Sequence, residues 1–303
     1  MGSYAGRSGT HLRKALTVAG VPTIGSPGGF ITGDVYFVDP GAGSDGHDGK
    51  SRNSAFKTTQ AGINACTASN GDVIIRMRGG EAVTSTVNFN KSGVTIVADV
   101  SGINPLMNGE YYSIYSTTLT ADPVAIVTAP TTIIGLGFAG ADAGTTFWSG
   151  AALLIGGDAD ATPVGVRIAG CRFPKWGLDN RIGIAVEGST DCLIEECCFE
   201  GVGSALAQGI YVQGATQNIT IRNNWFRQCT YGIAFGAFAG GGPHCFIHGN
   251  HFEDGKVLSC ANAATGVLSD NWCEGLTDTG SYSDTVDNHN TQGLVFSGQH
   301  YFE

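Results

Sequence analysis

Two pairs of acidic residues are the best candidates for chemistry in this chain of 303 residues. Cleavage of a glycosidic bond needs one carboxyl group as an acid and a second as a base or nucleophile. The pairs that a fold could bring together on one face are Asp158 with Asp160 and Glu195 with Glu253. Since most of the 26 acidic residues must lie on the solvated surface, a surface role is favoured, and a polysaccharide lyase or glycoside hydrolase is the alternative.

Metal and thiol chemistry have weaker candidates. Asp45 and Asp48 stand in a Gly-rich segment that supplies oxygen ligands for Ca²⁺, but the segment lacks the regular alternation and the final bidentate Glu of an EF-hand loop. An Asp-rich turn is therefore favoured there. The nine cysteines form no paired C-x-x-C spacing, and their odd number favours reduced thiols that act as small apolar side chains. No cofactor is expected.

Aromatic residues offer a third kind of site. Trp225 and Trp272 each precede the same position of a repeated pattern, and Trp148, Trp176 and Tyr211 are further large aromatic residues. Aromatic ring faces suit carbohydrate rings. A patch of this kind also marks contacts between proteins, so both interpretations remain open.

The elements that carry these residues are predicted by a repeat. Six segments share one order of apolar, turn and aromatic residues, and their starts are 26, 27, 26, 21 and 28 residues apart. A repeat of this length is one coil of a solenoid, and its alternating apolar residues indicate short strands on both sides of a bend. The 47 glycines and the 14% of charged residues disfavour helical repeats. The segments begin at Val166, Cys192, Ile219, Cys245, Gly266 and Leu294, and weaker copies begin at Val94 and Thr131.

The predicted fold is all-β, a single right-handed parallel β-helix with another strand per coil after Gly183, Gly209 and Gly232. Parallel strands lie about 4.8 Å apart, so equivalent residues of successive coils form columns. At the bend we expect hydrogen-bonded side-chain amides and, at those same residues, left-handed backbone. The bend column is Cys171, Cys197, Asn224, Asn250, Asn271 and Gln299, and an interior aromatic column is Phe138, Phe173, Phe199, Phe226, Phe252, Cys273 and Tyr301.

A segment from Val35 to Ile75 resembles the entry of pectate-lyase-like β-helix proteins. It holds a strand, a loop of Gly and Asp residues, and a Gly71-Asp72-x-Ile pattern that starts a further strand. The resemblance implies a β-helix domain over residues 35–303 and a short capping helix over residues 56–68. It is nearly silent on activity, because Arg172-Phe-Pro174 lacks the second Arg of the pectate lyase element.

Residues 1–34, which we call the arm, differ in composition from the solenoid. A short helix from Ser8 to Gly20 and an extended segment after it are predicted. We expect the arm to bind a partner, with a disordered tail as the alternative, and a signal peptide is disfavoured because its apolar run is short. The predicted partner-binding residues are His11, Leu12, Arg13, Lys14, Leu16, Val21, Pro22 and Ile24.

The opening Met1-Gly-Ser-Tyr-Ala-Gly6, the segment Leu12-Arg-Lys-Ala-Leu16 and Ala19-Gly-Val-Pro22, followed by the block from Val35, most closely resemble β-helix proteins of tailed bacteriophage particles. The net charge of −10 disfavours nucleic acid and anionic membranes as partners, and no stretch approaches the ~20 apolar residues of a transmembrane helix. The resemblance implies a capsid-decorating protein that folds in the host cytoplasm, joins the virion as a homotrimer, and binds the major capsid protein or another virion protein. The alternative is a tail-spike depolymerase or receptor-binding protein with a surface glycan as its partner.

Overall fold

Parallel strands wind around one apolar core in three sheets, as the repeat predicts. The computed structural model describes residues 17–18, 21–22, 33–99, 112–116, 123–140, 151–157, 162–174, 182–201, 208–236, 243–253, 256–260, 265–274, 294–296 and 301–302. Each full coil contributes one strand to sheet 1, turns sharply into sheet 2, and continues into sheet 3 before it returns to sheet 1. The strands predicted after Gly183, Gly209 and Gly232 belong to sheet 3, which is the third side of each coil.

The strand bounds follow the coils. Among the described residues, the strands of sheet 1 are β3 Val35–Val38, β4 Val73–Arg76, β7 Val94–Ala98, β10 Thr131–Ile134, β13 Arg167–Ala169, β16 Thr190–Glu195, β19 Gln217–Arg222, β22 His244–His248, β25 Thr265–Ser269 and β27 Leu294–Phe296. The described strands of sheet 2 are β5 Glu81–Ala82, β8 Ser113–Tyr115, β11 Gly137–Ala139, β14 Arg172–Phe173, β17 Cys198–Glu200, β20 Trp225–Arg227, β23 His251–Glu253, β26 Trp272–Glu274 and β28 Tyr301–Phe302. Those of sheet 3 are β6 Val87–Phe89, β9 Ala125–Val127, β12 Ala151–Gly156, β15 Ile182–Glu187, β18 Gln208–Gln213, β21 Tyr231–Phe235 and β24 Lys256–Cys260.

The predicted aromatic column forms the centre of the core. The rings of Phe173, Phe199, Phe226 and Phe252 are stacked with 4.8 Å between successive centroids, and Phe138 continues the column at 5.8 Å from Phe173. The register also pairs Phe252 with Cys273, as predicted. Burial of about 150–250 Å² by each aromatic side chain makes this column a main source of stability.

The column prediction is wrong by one residue in the last coil. Phe302, and not Tyr301, pairs with Cys273, whereas Tyr301 pairs with Trp272. Since Phe296 still pairs with Leu268, the bend between β27 and β28 holds one residue more than the bends before it. The predicted bend residue Gln299 lies outside the described residues.

The predicted amide column at the bend is a hydrogen-bonded ladder. The side-chain oxygen of Asn250 accepts hydrogen bonds from the backbone and side-chain nitrogens of Asn224, each at 3.0 Å. Asn271 does the same for Asn250, and Asn224 accepts from the backbone of Cys197. We call Asn224, Asn250 and Asn271 the asparagine ladder.

The backbone at the bend differs from the prediction. Left-handed φ angles occur one residue before the ladder, with 54° at Glu196, 54° at Asn223 and 53° at Asp270. The ladder residues point their amides into the stack, where Asn224 also donates to the backbone oxygen of Ile194. The residue before each residue of the bend column therefore makes the change of chain direction.

A short helix closes the first coil. The predicted helix over residues 56–68 is shorter in the structure, where α1 spans Thr59–Ala65 and Thr58 caps its start by accepting from the backbone of Ala61. Phe56 bridges to Val38 instead of joining the helix. Phe56, Ile63 and Cys66 are all buried in the apolar core beneath the helix.

The helix is tied to the coil beneath it by a buried ion pair. Glu81 accepts hydrogen bonds from the backbone and the hydroxyl of Thr59, the first residue of α1. Arg76 lies 3.5 Å from Glu81 and donates to the backbone oxygen of Ser113. Burial lowers the pKa of Arg76, and the charge of Glu81 opposes this shift.

The predicted helix in the arm is wrong at its end. β1 Thr17–Val18 and β2 Val21–Pro22 pair as antiparallel strands, so the chain reverses where the helix was expected to continue to Gly20. The β-branched Thr17, Val18 and Val21 favour extended backbone over helix, which explains the difference. This small sheet shares no strand with the three sheets of the solenoid.

Within the described residues, no helix is long and apolar enough to cross a membrane.

Candidate functional site

Glu195 is held between two arginines on the outer face of sheet 1. Arg222 donates to one carboxylate oxygen at 2.6 and 2.9 Å, and Arg167 donates to the other at 2.6 and 2.7 Å. Burial by itself would raise the pKa of Glu195, but the hydrogen bonds from Arg222 and Arg167 outweigh it and the pKa ends below its ordinary value. A carboxylate in this state joins three coils and is a poor proton donor.

Glu253, the predicted partner of Glu195, lies on the outer face of sheet 2. One of its oxygens accepts from the indole nitrogen of Trp225 at 3.0 Å, and the other lies 3.4 Å from Arg227. The structure therefore does not bring Glu195 and Glu253 together on one sheet face. Asp158 and Asp160, the other predicted pair, lie outside the described residues.

The two calcium candidates organise the loop before α1. Asp45 accepts hydrogen bonds from the backbones of Lys57 and Thr58 and from the Thr58 hydroxyl. Asp48 accepts from the hydroxyl of Ser54 and from the backbone of Lys50, and these bonds lower its pKa. Within the described residues, no group of three His, Cys, Asp or Glu side chains could hold a metal ion.

Among the predicted arm contacts, Val21 and Pro22 lie in β2, and the other six lie outside the described residues.

The described thiols are buried and form no disulfide. This holds for all seven cysteines whose side chains are described. Burial raises the pKa of Cys66, Cys192, Cys198 and Cys229 to about 12, so these thiols are protonated at neutral pH. They therefore serve as small core side chains, since the thiolate is the reactive form.

Sequence reasoning missed a group on the outer face of sheet 3. Glu187 pairs in register with Gln213, whose side-chain oxygen accepts from the hydroxyl of Tyr211 at 2.8 Å. Burial raises the pKa of Glu187, and burial together with the charge of Glu187 raises the pKa of Tyr211. Tyr211 pairs in register with Ala185, two residues before Glu187, so the two titratable side chains are diagonal neighbours on this face. No motif marks Glu187, because its role depends on which sheet its strand joins.

A cleft lies where sheet 2 passes into sheet 3. Its volume is about 300 Å³ with the open mouth included, and Phe173, Phe199, Glu200 and Gln208 are among its lining residues. The side-chain oxygen of Gln208 is buried without a hydrogen-bond partner among the described residues. The cleft therefore offers one acceptor to a water molecule or a hydroxyl group.

Aromatic side chains line up on the outer face of sheet 2, as the sequence suggested for Trp225 and Trp272. His251 pairs in register with both and lies between them. Its ring is stacked on Trp225 at 5.8 Å, whereas Trp272 is turned by 84° relative to it at 6.4 Å. We call Trp225, His251 and Trp272 the aromatic stripe.

Three parallel sheets with inward columns and ion-paired outer faces define a parallel β-helix. Residues 144–300 match the family described as "Right handed beta helix region". The chain belongs to this right-handed β-helix family. None of the curated proteins matches the sequence.

Solved structures share the fold at low sequence identity. A rhamnogalacturonan lyase superposes with a TM-score of 0.50 and 15% identity over 89% of this chain and 90% of its own. The PL6 family alginate lyase AlyGC gives a TM-score of 0.48 and 13% identity over 94% of this chain and 42% of its own. ORF18 of Geobacillus virus E2 gives only 0.34 and 14% identity over 80% of this chain and 58% of its own. Such identities extend to the fold alone.

Proposed function

We propose that this protein is a structural component of a bacteriophage particle, a β-helix that decorates the capsid and binds the capsid lattice through its arm. The observation that carries the proposal is the separation of the arm from the solenoid. Sheet 1 begins at Val35 and α1 covers the same end, while β1 and β2 form a sheet of their own. The described strands of the arm therefore add no strand to the three sheets of the solenoid, which supports a role for the arm in binding a partner.

Charge supports the same role for the arm. Arg7, Arg13 and Lys14 lie in the arm with Asp34 as its one acidic residue, whereas the whole chain carries a net charge of −10. A basic segment is attracted to an acidic partner surface. The acidic solenoid does not repel it. The free, buried thiols suit folding in the reducing host cytoplasm before incorporation into the virion.

The outer carboxylates also support a structural role. Glu195, Glu200 and Glu253 each contact an arginine of the same or a neighbouring coil, and these contacts tie coils together. Networks of this kind stiffen a rod that must survive outside the cell. We further propose that the rods assemble as a homotrimer.

The test compares the full chain with a variant that lacks residues 2–29. Particles purified from the source that carries the gene are analysed by mass spectrometry, and the tagged full chain and the deletion variant are each supplied in a strain without the native copy. We expect the full chain to be recovered in particles and the deletion variant to be folded, soluble and absent from them. Equal recovery of both would contradict the role of the arm, and absence of both would contradict the virion role. Sedimentation of the purified chain tests the homotrimer.

A second candidate function is polysaccharide cleavage, and Glu187 is the observation that favours it. Glu187 and Tyr211 are diagonal neighbours on sheet 3, where Glu187 would act as the acid or base and the Tyr211 hydroxyl would remain a proton donor. If the protein is such an enzyme, a reducing-end assay on a panel of bacterial polysaccharides will detect product, and Glu187→Gln will lower the rate by roughly 100-fold or more. The exposed Glu196→Gln variant is the control and should keep the full rate.

A further inference from the structure

The outer face of sheet 2 carries polar groups beside the aromatic stripe. Glu253 accepts from Trp225 and lies 3.4 Å from Arg227, so the carboxylate adjoins the ring of Trp225. Glu253 is also two residues beyond His251, the register partner of Trp272, which makes it a diagonal neighbour of Trp272 on the same face. The side chain of Arg227 is 48% exposed, which leaves part of its donor set in solvent. The rings and the polar pair are fixed by backbone pairing between β20, β23 and β26, so the arrangement is rigid before any ligand arrives.

Trp272 is the member of the stripe that remains accessible. Trp225 and His251 are nearly parallel, with 8° between their rings, and each covers the other. Trp272 is turned out of this stack and is 39% exposed, which places it among the few exposed large apolar residues of the described chain. Its indole is thus presented to solvent at the end of a rigid aromatic support.

We propose that Trp272, Glu253 and Arg227 form a carbohydrate-binding site that takes a pyranose ring. A pyranose has an apolar face of C–H groups and a rim of hydroxyl groups. The indole of Trp272 packs against the apolar face, while the carboxylate of Glu253 accepts from hydroxyl groups and Arg227 donates to them. The proposal concerns binding without cleavage and is independent of the arm and of Glu187.

The size of the apolar surface distinguishes a sugar from a protein partner. The other exposed large apolar residues, Val164 and Phe246, belong to other parts of the coil, and Phe246 lies on sheet 1. One indole offers contact area for a single ring, whereas a stable protein interface buries about 1,200 Å² or more. Nucleic acid is disfavoured by Glu253 at the site and by the net charge of −10.

The test is a binding measurement on the full chain with named oligosaccharides. Maltohexaose and cellohexaose serve as neutral probes, a trigalacturonate as an acidic probe, and chitotetraose as an amino-sugar probe. We expect at least one to bind saturably, with a change in tryptophan fluorescence. Trp272→Ala should weaken that binding by roughly five- to tenfold, since the loss of one aromatic contact is worth about 1–1.4 kcal/mol.

Phe246→Ala is the matched control, because Phe246 is a similarly exposed aromatic residue, 43% accessible, on another sheet. It should leave the affinity unchanged, and thermal unfolding of both variants should match the wild type within a few degrees. The proposal is overturned if none of the four probes binds, if Trp272→Ala binds like the wild type, or if both variants lose affinity equally. None of these outcomes bears on particle incorporation, which is measured separately.

Discussion

At the scale of single residues, the asparagine ladder shows how one side chain holds three coils. The amide of Asn250 accepts from Asn224 and donates to the backbone oxygen of Ile221 and to Asn271. All of these atoms are buried, and a buried polar group that loses its partner keeps the full cost of its desolvation. The ladder therefore stabilises the fold mainly because it gives buried polar groups a hydrogen-bond partner, and less through the net free energy of each hydrogen bond.

Replacement of Asn250 by alanine should lower the free energy of unfolding by about 2–3 kcal/mol, because the Asn224 amide and the Ile221 carbonyl lose their partners. Urea unfolding followed by circular dichroism measures the change. Asn53→Ala, at an exposed position of the loop before α1, is the control and should change stability by less than about 0.5 kcal/mol. A neutral Asn250→Ala variant would mean that water replaces the ladder at that coil.

Glu195 makes stability depend on pH. Its folded pKa lies below the ordinary value of 4.5, so its contribution is fully present above 4.5 and is lost as the pH falls through the folded pKa. Glu195→Gln should therefore be less stable than the wild type at pH 7, and the difference should shrink as the pH falls below 4.5. Denaturant unfolding at several pH values measures it, with the exposed Glu196→Gln as a control that shows no such trend. A difference that stays constant with pH would contradict the ion pairs of Glu195.

At the scale of elements, the cap depends on a charge that cannot reach solvent. Arg76 is fully buried, with Glu81 as its counterion and Thr59 as the link to α1. Removal of one partner of a buried pair leaves an uncompensated charge, which costs about 3–5 kcal/mol, whereas removal of both can be neutral. A substitution of either partner of this pair is therefore expected to lower the free energy of unfolding strongly.

Glu81→Leu should lower the free energy of unfolding by about 3–5 kcal/mol, and the double variant Arg76→Met with Glu81→Leu should recover a large part of that loss. Guanidinium unfolding of the three proteins gives the coupling directly. Asp99, whose ion pair with Arg52 lies at the surface, supplies the control: Asp99→Asn should cost less than about 1 kcal/mol. If the double variant is no more stable than Glu81→Leu, the damage comes from lost contacts with α1 and not from the charge of Arg76.

The strands could be predicted because their signal is local and repeated. Spacing alone aligned Phe173, Phe199, Phe226 and Phe252, and the structure stacks them. The extra residue before Phe302 was not predicted because a bend can hold one residue more while the apolar pattern of the strands on both sides stays the same. The helix predicted for the arm was wrong at its end because the β-branched residues there favour extended backbone more strongly than the capping residues favour a helix.

The candidate site was less predictable for a physical reason. Alternation along a strand tells which side chains point outward, but the sheet that a strand joins decides which outward side chains meet. Glu195 and Glu253 both point outward and lie on different sheets, whereas Glu187 and Tyr211 lie on adjacent coils of the same sheet. Contacts of this kind depend on register between coils, which a single repeat unit does not contain.

At the scale of the whole molecule, the solenoid is a stack in which each coil pairs only with its neighbours. Sheet 1 and sheet 2 run through the coils in sequence order, and no strand in either skips a coil. The stability of such a stack is approximately a sum of terms for single coils and for adjacent pairs. One coil should therefore be removable if the register on both sides is kept.

Deletion of residues 219–244 should test this directly, because it joins the chain so that Cys245 takes the place of Ile219, its partner in register. The coil that contains Val212 would then stack on the coil that contains Phe252. The aromatic column and the asparagine ladder would both remain continuous. We expect a folded, less stable protein with the far-ultraviolet circular dichroism of a β-sheet and a single unfolding transition. Deletion of residues 219–231, about half a coil, is the control, since it shifts the inward and outward faces out of register and should yield an unfolded or aggregated chain. If both deletions unfold, or if both fold, the coils are not the independent stacking units that the register implies.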